Sequence, residues 1–163
     1  MYKLQKRILD LIISFTALVI LSPLFIFCIF LLSVTGEREI FYFQKRIGLN
    51  NSNFFIWKFT TMIKNSMNLG SGSITLKNDP RVTYFGKFLR KTKINELPQI
   101  INVIKGDLSI VGPRPLVTET FNCYSQYIQE NIYKVKPGIT GIGSIIFRDE
   151  ESLISSVSPD EAH

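Results

Sequence analysis

The sequence predicts a mainly helical α+β fold, in which an apolar N-terminal helix meets lipid and a small β-hairpin belongs to a domain at the membrane surface. Three observations indicate this class. Residues 11–34 are 24 uncharged positions rich in Leu, Ile, Phe and Val. Two short β-prone runs follow, and beyond them apolar residues recur with the spacing of an amphipathic helix.

The apolar run is long enough, at the rise of an α-helix, to cross a bilayer core. It is longer than the apolar region of a secretory signal and lacks an Ala-x-Ala-like cleavage site. Pro23, directly after Ser22, removes a backbone donor near the centre and is expected to bend the helix. Basic residues flank both ends, so the positive-inside rule does not assign the ends to opposite sides. A helical hairpin that enters and leaves one face and a kinked transmembrane anchor fit the sequence equally well. We assign residues 1–36 to the membrane and residues 37–163 to a globular domain.

The domain begins with a predicted β-hairpin. Ile40–Phe43 and Phe54–Phe59 are β-prone, and the turn-forming cluster 48–53 separates them. Residues 65–78 are rich in Ser, Gly and Asn, which predicts a mobile loop of the kind that closes over ligands.

The second half of the chain predicts helices. A basic amphipathic stretch at 82–91 precedes a helix that is expected to begin at Asn95 as N-cap and to end at Gly106. Residues 118–133 predict a second, aromatic-rich helix. The apolar stripe of the helix after Asn95 consists of Leu97, Ile100, Ile101 and Ile104.

The uneven charge distribution limits which ligands and catalytic groups are expected. Residues 38–114 hold thirteen Lys and Arg against four Asp and Glu, whereas residues 115–163 hold three against seven. Such a cationic surface suits nucleic acid, anionic lipid or a diphosphate. The single histidine is His163, so a histidine base or a Ser-His-Asp triad lacks its central part. Catalysis would therefore fall to carboxylates and cations.

Six motifs in order resemble the bacterial sugar transferase family, the monotopic polyprenol-phosphate phosphoglycosyl transferases. Together they cover nearly the whole chain. The motifs are KRILD with the Ser22-Pro23 break, FQKRIG at 43–48, WKFTTM at 57–62, NDPRVTYFGKFLRKT at 78–92, NELPQIINVIKGDLSIVGPRP at 95–115 and KPGITG at 136–141.

The resemblance implies a re-entrant membrane helix bent at Ser22-Pro23, with both ends at the cytoplasmic face of the bacterial inner membrane and a catalytic domain resting on it. It also implies a UDP-sugar donor, a polyprenol phosphate acceptor such as undecaprenyl phosphate, Mg²⁺, and release of UMP. The product would initiate exopolysaccharide, capsule, O-antigen or other glycan assembly. Downstream glycosyltransferases are candidate partners.

The sequence departs from the family at its central pair of acids. In the family an Asp-Glu pair opens the helix, and the aspartate attacks the β-phosphate of the donor to form a covalent phosphosugar. Here Asn95 precedes Glu96, and an amide is a poor nucleophile. Counted without gaps, Arg148 falls on the family's phosphate-binding arginine and Asp149 on its asparagine. We hypothesise that Glu96, or Asp149 with Glu150, supplies the nucleophile or the metal ligand.

Cations are expected to neutralise the phosphates of donor and acceptor. Thr60 stands where the family's KFR motif has arginine, so Lys58 would carry more of the phosphate binding. Asp79 and Asp107 are expected to cap turns. The candidate substrate-binding residues are Lys58, Arg81, Arg90, Arg114 and Arg148.

Two other functions compete with the transferase. A non-catalytic relative that binds lipid phosphate or partner transferases would fit the missing aspartate. A membrane-tethered nucleic-acid binder would fit the basic middle, but the sequence has no nucleic-acid motif and the apolar segment has no role in that function.

The chain ends at His163 without an evident capping element, so we expect the catalytic domain to lack a C-terminal part.

Overall fold

A computed structural model describes residues 2–35, 38–66 and 79–141. About half of it is helical, and the α+β class is confirmed. The helices are α1 (Tyr2–Val34), α2 (Tyr84–Lys91), α3 (Gln99–Lys105), α4 (Thr118–Asn122) and α5 (Gln126–Asn131). The strands are β1 (Phe41–Ile47), β2 (Asn53–Phe59), β3 (Ser109–Val111) and β4 (Gly138–Thr140).

Helix α1 continues through Pro23 and is long and apolar enough to cross a membrane. Proline has no N–H to donate to the carbonyl four residues earlier, which is that of Val19. The hydroxyl of Ser22 donates to this same carbonyl at 2.8 Å. The Ser-Pro pair therefore removes one donor and supplies another, so the Val19 carbonyl is satisfied without water.

The N-terminal arm of α1 is tied to the domain by polar contacts. The guanidinium of Arg7 donates to two carbonyls in the last turn of α3, at 2.5 and 2.8 Å. Asp10 is buried and accepts hydrogen bonds from the Ser109 hydroxyl at 2.8 Å and the Ile110 N–H at 3.1 Å. This arm therefore binds the end of α3 and the start of β3.

The C-terminal arm of α1 packs against the same domain through apolar contacts. Cys28 and Leu32 are buried in one cluster with Phe59 and Leu89. The ring of Phe25 lies 5.0 Å from that of Phe59. Between and around the two arms, α1 leaves large apolar side chains 61% to 72% exposed, namely Val19, Ile20, Ile26 and Phe30.

The predicted hairpin is confirmed. Strands β1 and β2 are antiparallel, with Cα partners from Phe41↔Phe59 to Ile47↔Asn53, and β1 extends beyond the predicted Phe43. Asn50 and Asn51, in the turn, have φ of 53° and 58°, a conformation that Asn tolerates better than most residues. The predicted loop at 65–78 lies outside the described residues except for its first two positions.

The prediction that α3 begins at Asn95 is wrong. Ile94–Glu96 forms a 3₁₀ turn after Lys93, whose φ is 59°, and the helix starts at Gln99. Pro98 has no N–H for the carbonyl of Ile94, which accepts from the N–H of Leu97 instead, at 3.0 Å. The prediction that Gly106 ends α3 is confirmed, with φ of 98°.

The single helix predicted over 118–133 is also wrong, because α4 and α5 are separated at residues 123–125. The rings of Phe121 and Tyr133 stack with centroids 5.9 Å apart, beside buried Ile47. In one continuous helix, residues twelve positions apart would be separated by about 18 Å along the axis. The break allows both rings to reach the same apolar cluster.

A parallel pair, β3 with β4, was not predicted. Ser109 pairs with Gly138 and Val111 with Thr140. A Cβ on Gly138 would collide with the backbone of Gly112, so these chains approach closely only because both residues are glycine. This contact fixes the start of the Gly112–Pro115 tract against the Pro137-Gly138 turn.

Candidate active site

One face of the hairpin carries the polar residues of the candidate site. Side chains alternate along a strand, and the register pairs Tyr42 with Lys58 and Arg46 with Phe54. Tyr42, Arg46 and Lys58 therefore share a face. On the same face Ile56 packs against α3, which holds the hairpin on the domain.

Three arginines and one carboxylate surround Lys58. Lys58 Nζ lies 3.9 Å from Glu96 Oε1, with the two side chains 20% and 32% exposed. Burial lowers the pKa of Lys58 to about 8; the charge of Glu96 opposes this change, and the positive charges of Arg46, Arg114 and Arg90 add to it. The site has an excess of positive charge, which suits an anion with several charges.

The pKa of Lys58 predicts a pH dependence. Because Lys58 keeps its proton below about pH 8 and loses it above, affinity for a diphosphate ligand should fall as pH rises through that value. Replacing Lys58 with Arg, which stays charged to much higher pH, should remove this alkaline fall. The measurement is UDP binding, or kcat/KM once a substrate is found, between pH 6.5 and 9.5.

The matched control is Lys87→Arg, on the exposed side of α2, which should keep the fall. An alkaline fall that persists unchanged in Lys58→Arg would contradict the assignment of this titration to Lys58.

Asn95 is buried, and its Oδ1 has no hydrogen-bond partner among the described residues. The expectation that Asn95 caps the helix is therefore wrong, since its side chain makes no capping bond. An unpaired buried polar group costs about 1–3 kcal/mol. Such a group calls for a physical explanation, and binding of a ligand or an ion is one.

The loop that carries Arg114 is held by two residues outside the predicted site, Tyr133 and Arg46. The hydroxyl of Tyr133 donates to the Arg114 carbonyl at 2.7 Å and accepts from the Leu116 N–H at 2.8 Å. Arg46 Nη1 donates to the Pro115 carbonyl at 2.9 Å. The backbone around Arg114 is therefore fixed on two sides. The position of Arg46 in FQKRIG, on the same face of a predicted hairpin as Lys58, is the signal that could have identified it.

Replacing Tyr133 with Phe should lower the free energy of unfolding by about 1–3 kcal/mol, because the Leu116 N–H and the Arg114 carbonyl lose their partner. Chemical unfolding in detergent, followed by circular dichroism, measures the change. Tyr127, which is 77% exposed on α5, provides the control, and Tyr127→Phe should have little effect. Equal stability of the two variants would refute the role of the Tyr133 hydroxyl.

Arg81 lies in a separate buried ion pair. Its Nη2 is 2.6 Å from Asp79 Oδ2, and its Nε is 2.9 Å from Asp79 Oδ1. Nη1 also donates to the Ser66 carbonyl at 2.8 Å. These bonds engage much of the guanidinium, and phosphate binding by Arg81 stays a prediction.

The structure thus brings together Lys58, Glu96, Arg90 and Arg114 of the predicted site. Asn95 directly precedes Glu96 in the chain. Arg148, Asp149 and Glu150 lie outside the described residues. Within residues 2–35, 38–66 and 79–141, no group of three or more His, Cys, Asp or Glu side chains is arranged to hold a metal ion.

The exposed apolar helix, long enough to cross a membrane, and the cluster of cations together indicate a class: membrane-associated proteins whose site suits a phosphorylated ligand. The bacterial sugar transferase model matches residues 1–161, and the chain belongs to that family.

Three relatives are similar over most of this chain. Exopolysaccharide production protein ExoY of Sinorhizobium fredii is 36% identical, covering 96% of this chain and 75% of the relative. Undecaprenyl-phosphate galactose phosphotransferase of Salmonella typhimurium is 36% identical, covering 89% and 33%. UDP-glucose:undecaprenyl-phosphate glucose-1-phosphate transferase of Klebsiella pneumoniae is 38% identical, covering 86% and 30%. The chain therefore spans about a third of the last two proteins.

Proposed function

We propose that this chain transfers a sugar 1-phosphate from a UDP-sugar to undecaprenyl phosphate and releases UMP, as an initiating step of exopolysaccharide or related glycan assembly. The observation that carries the proposal is the cluster that Arg46, Arg90, Arg114 and Glu96 form around Lys58. The names of relatives from Salmonella typhimurium and Klebsiella pneumoniae, which specify undecaprenyl phosphate, support it.

In the proposed reaction the cations bind the oxygens of the donor diphosphate, and the Glu96 carboxylate attacks the β-phosphorus. The bond from that phosphorus to the bridging oxygen breaks, and UMP leaves with the electron pair. An oxygen of undecaprenyl phosphate then attacks the same phosphorus, forms the lipid diphosphate sugar and releases the carboxylate. Lys58, 3.9 Å from Glu96, is placed to neutralise charge on the transferred phosphoryl group. Asp149 with Glu150 is the alternative source of the carboxylate.

The side-chain oxygens at positions 95 and 96 are the ligands that we propose for the Mg²⁺ that the family implies. Magnesium prefers oxygen ligands, and the Glu96 carboxylate and the unpaired Asn95 Oδ1 are oxygens at adjacent positions. Asp149 is a further candidate ligand. The ion would neutralise charge on the diphosphate.

The contacts of α1 support a re-entrant arrangement. Asp10 and Leu32 both bind the same domain, although 22 positions in a straight helix span about 33 Å, more than the hydrocarbon core of a bilayer. A helix that crossed the membrane would place one of them on the far side. We therefore propose that both ends lie at the cytoplasmic face of the inner membrane, with the Ser22-Pro23 pair deepest in the lipid.

Site-directed labelling tests this topology. In a Cys28→Ser, Cys123→Ser background, single cysteines at Gln5 and Thr35 should both be protected from a membrane-impermeant maleimide in intact spheroplasts and react after lysis. Labelling of either position before lysis contradicts the arrangement.

The activity test uses the full chain in nanodiscs with undecaprenyl phosphate, Mg²⁺ and a panel of UDP-sugars. We expect UMP release with at least one UDP-sugar. The amount of UMP should equal that of a lipid-linked phosphosugar, which mass spectrometry identifies. Binding of undecaprenyl phosphate without UMP release from any donor would instead support the second candidate, a lipid-phosphate-binding or scaffolding relative. That alternative is favoured by one observation, the amide at position 95.

A further inference from the structure

The second face of the hairpin is aromatic. Alternation along the strands places every other residue of β1 and β2 on the face opposite to Lys58 and Arg46. The Cα partners on this face are Phe41↔Phe59, Phe43↔Trp57 and Lys45↔Phe55, followed by Ile47↔Asn53 at the turn.

This aromatic row begins at the membrane helix. Phe59 is 1% exposed, stacks on Phe41 at 5.7 Å, and contacts Phe25 of α1. Further along, Phe43 meets Trp57 edge to face at 4.8 Å. Phe43 is 47% exposed, and Phe55, beyond it, is 57% exposed. The exposed aromatic surface is therefore continuous with α1.

Lysines border this aromatic surface. The N-terminal arm of α1 lies near the border that Lys105 forms. Lys105 Nζ lies 5.9 Å from the centre of the Trp57 ring, and exposed Lys45 is the cross-strand partner of Phe55. Arg7 of α1 binds the end of α3 that carries Lys105. Aromatic rings beside lysines are the composition of protein surfaces at the membrane–water interface, where rings enter the headgroup layer and ammonium groups meet lipid phosphates.

We propose that the hairpin face formed by Phe43, Phe55 and Trp57 lies in the headgroup layer of the membrane that α1 enters. The inference rests on the membrane association proposed for α1. Lipid is the occupant because the surface continues from the exposed apolar side of α1 and has a basic border. The opposite face of the same two strands carries Lys58 and Arg46, so this docking would hold the cationic site close to the level of a lipid phosphate.

Trp57 is the single tryptophan of the chain, which makes it a native probe. The full chain is placed in nanodiscs of phosphatidylcholine and phosphatidylglycerol, with plain or brominated acyl chains near the headgroup. We expect a blue-shifted Trp57 emission and loss of most of its intensity in the brominated lipid.

Three variants in a Trp57→Phe background serve as matched probes. Phe55→Trp, on the proposed lipid face, should be quenched by bromine. Phe54→Trp, its neighbour on the opposite face, should not be quenched. Val19→Trp, 72% exposed on α1, reports insertion of the helix and should be quenched. Circular dichroism establishes that each variant is folded.

The outcomes separate this inference from the others. Quenching of Val19→Trp without quenching of Trp57 or Phe55→Trp overturns the inference and leaves the anchoring role of α1 in place. Equal quenching of Phe54→Trp and Phe55→Trp overturns the assignment to one face. An emission shift that depends on protein concentration and not on bromine would show a second copy on this surface, which also overturns it. UMP release in the same nanodiscs tests the proposed activity independently.

Discussion

Replacing Glu96 with Gln is expected to reduce UMP release by roughly 10³-fold or more, the size of effect seen when a nucleophile is removed. Glu96 is the carboxylate that pairs with Lys58 in the cluster of cations. The amide of Gln has nearly the same shape but lacks the anionic oxygen that, in the proposed reaction, attacks the β-phosphorus. Steady-state assay of UMP in nanodiscs measures the loss, and donor binding by calorimetry should persist.

The control for Glu96→Gln is Glu119→Gln, an exposed acid in the first turn of α4, which should keep full activity. Asp149→Asn is assayed in parallel because Asp149 with Glu150 is the alternative carboxylate. Full activity in both Glu96→Gln and Asp149→Asn would discard the hypothesis. Loss in Asp149→Asn alone would assign the nucleophile to the C-terminal acids.

Replacing Asn95 with Asp is expected to raise UMP release by about 10²-fold, within the range that a well-placed charged or polar group contributes at an active site. Position 95 is buried and its side-chain oxygen has no hydrogen-bond partner in the described part of the chain. Aspartate has nearly the same shape, and the neighbouring residue Glu96 pairs with Lys58 in a site with an excess of positive charge. The substitution would place a nucleophilic carboxylate at the position where the family has aspartate.

Mass spectrometry shows whether the expected increase in UMP release comes from covalent catalysis by residue 95. Asn95→Asp incubated with donor alone should carry a phosphosugar on residue 95, whereas the unaltered chain should carry none there. Asn122→Asp, at the end of α4 on the surface, is the control for added charge. An Asn95→Asp protein that gains neither activity nor adduct would count against the site as a transferase centre.

The secondary-structure elements that can be predicted from the sequence are those that neighbouring residues specify. The hairpin has a turn cluster between two β-prone runs, and α3 ends at a glycine with positive φ, so neighbouring residues suffice to identify both. The pair β3 and β4 has strands of three residues each, far apart in the chain. No local pattern indicates such a pairing, because it depends on two glycine backbones that meet only in the folded chain.

The candidate site was predictable in part and for a similar reason. Lys58, Glu96, Arg90 and Arg114 were selected through their motifs, and the structure places them together. For Tyr133 the sequence predicts only a place at the end of an aromatic-rich helix, since sequence does not show where a phenolic hydroxyl points. Its bonds to the Arg114 loop depend on the break between α4 and α5, which serves the stacking of Phe121 on Tyr133.

The buried carboxylate of Asp10 makes the N-terminal helix part of the scaffold of the site. It accepts hydrogen bonds from Ser109 and Ile110 at the start of β3, the strand that runs directly into the Gly112–Pro115 tract. A shortened protein without residues 1–36, made to obtain a water-soluble sample, would leave these donors unpaired. It would also expose the cluster around Phe59 and Leu89. Such a fragment is therefore a poor substitute for the whole chain in crystallisation or inhibitor screening.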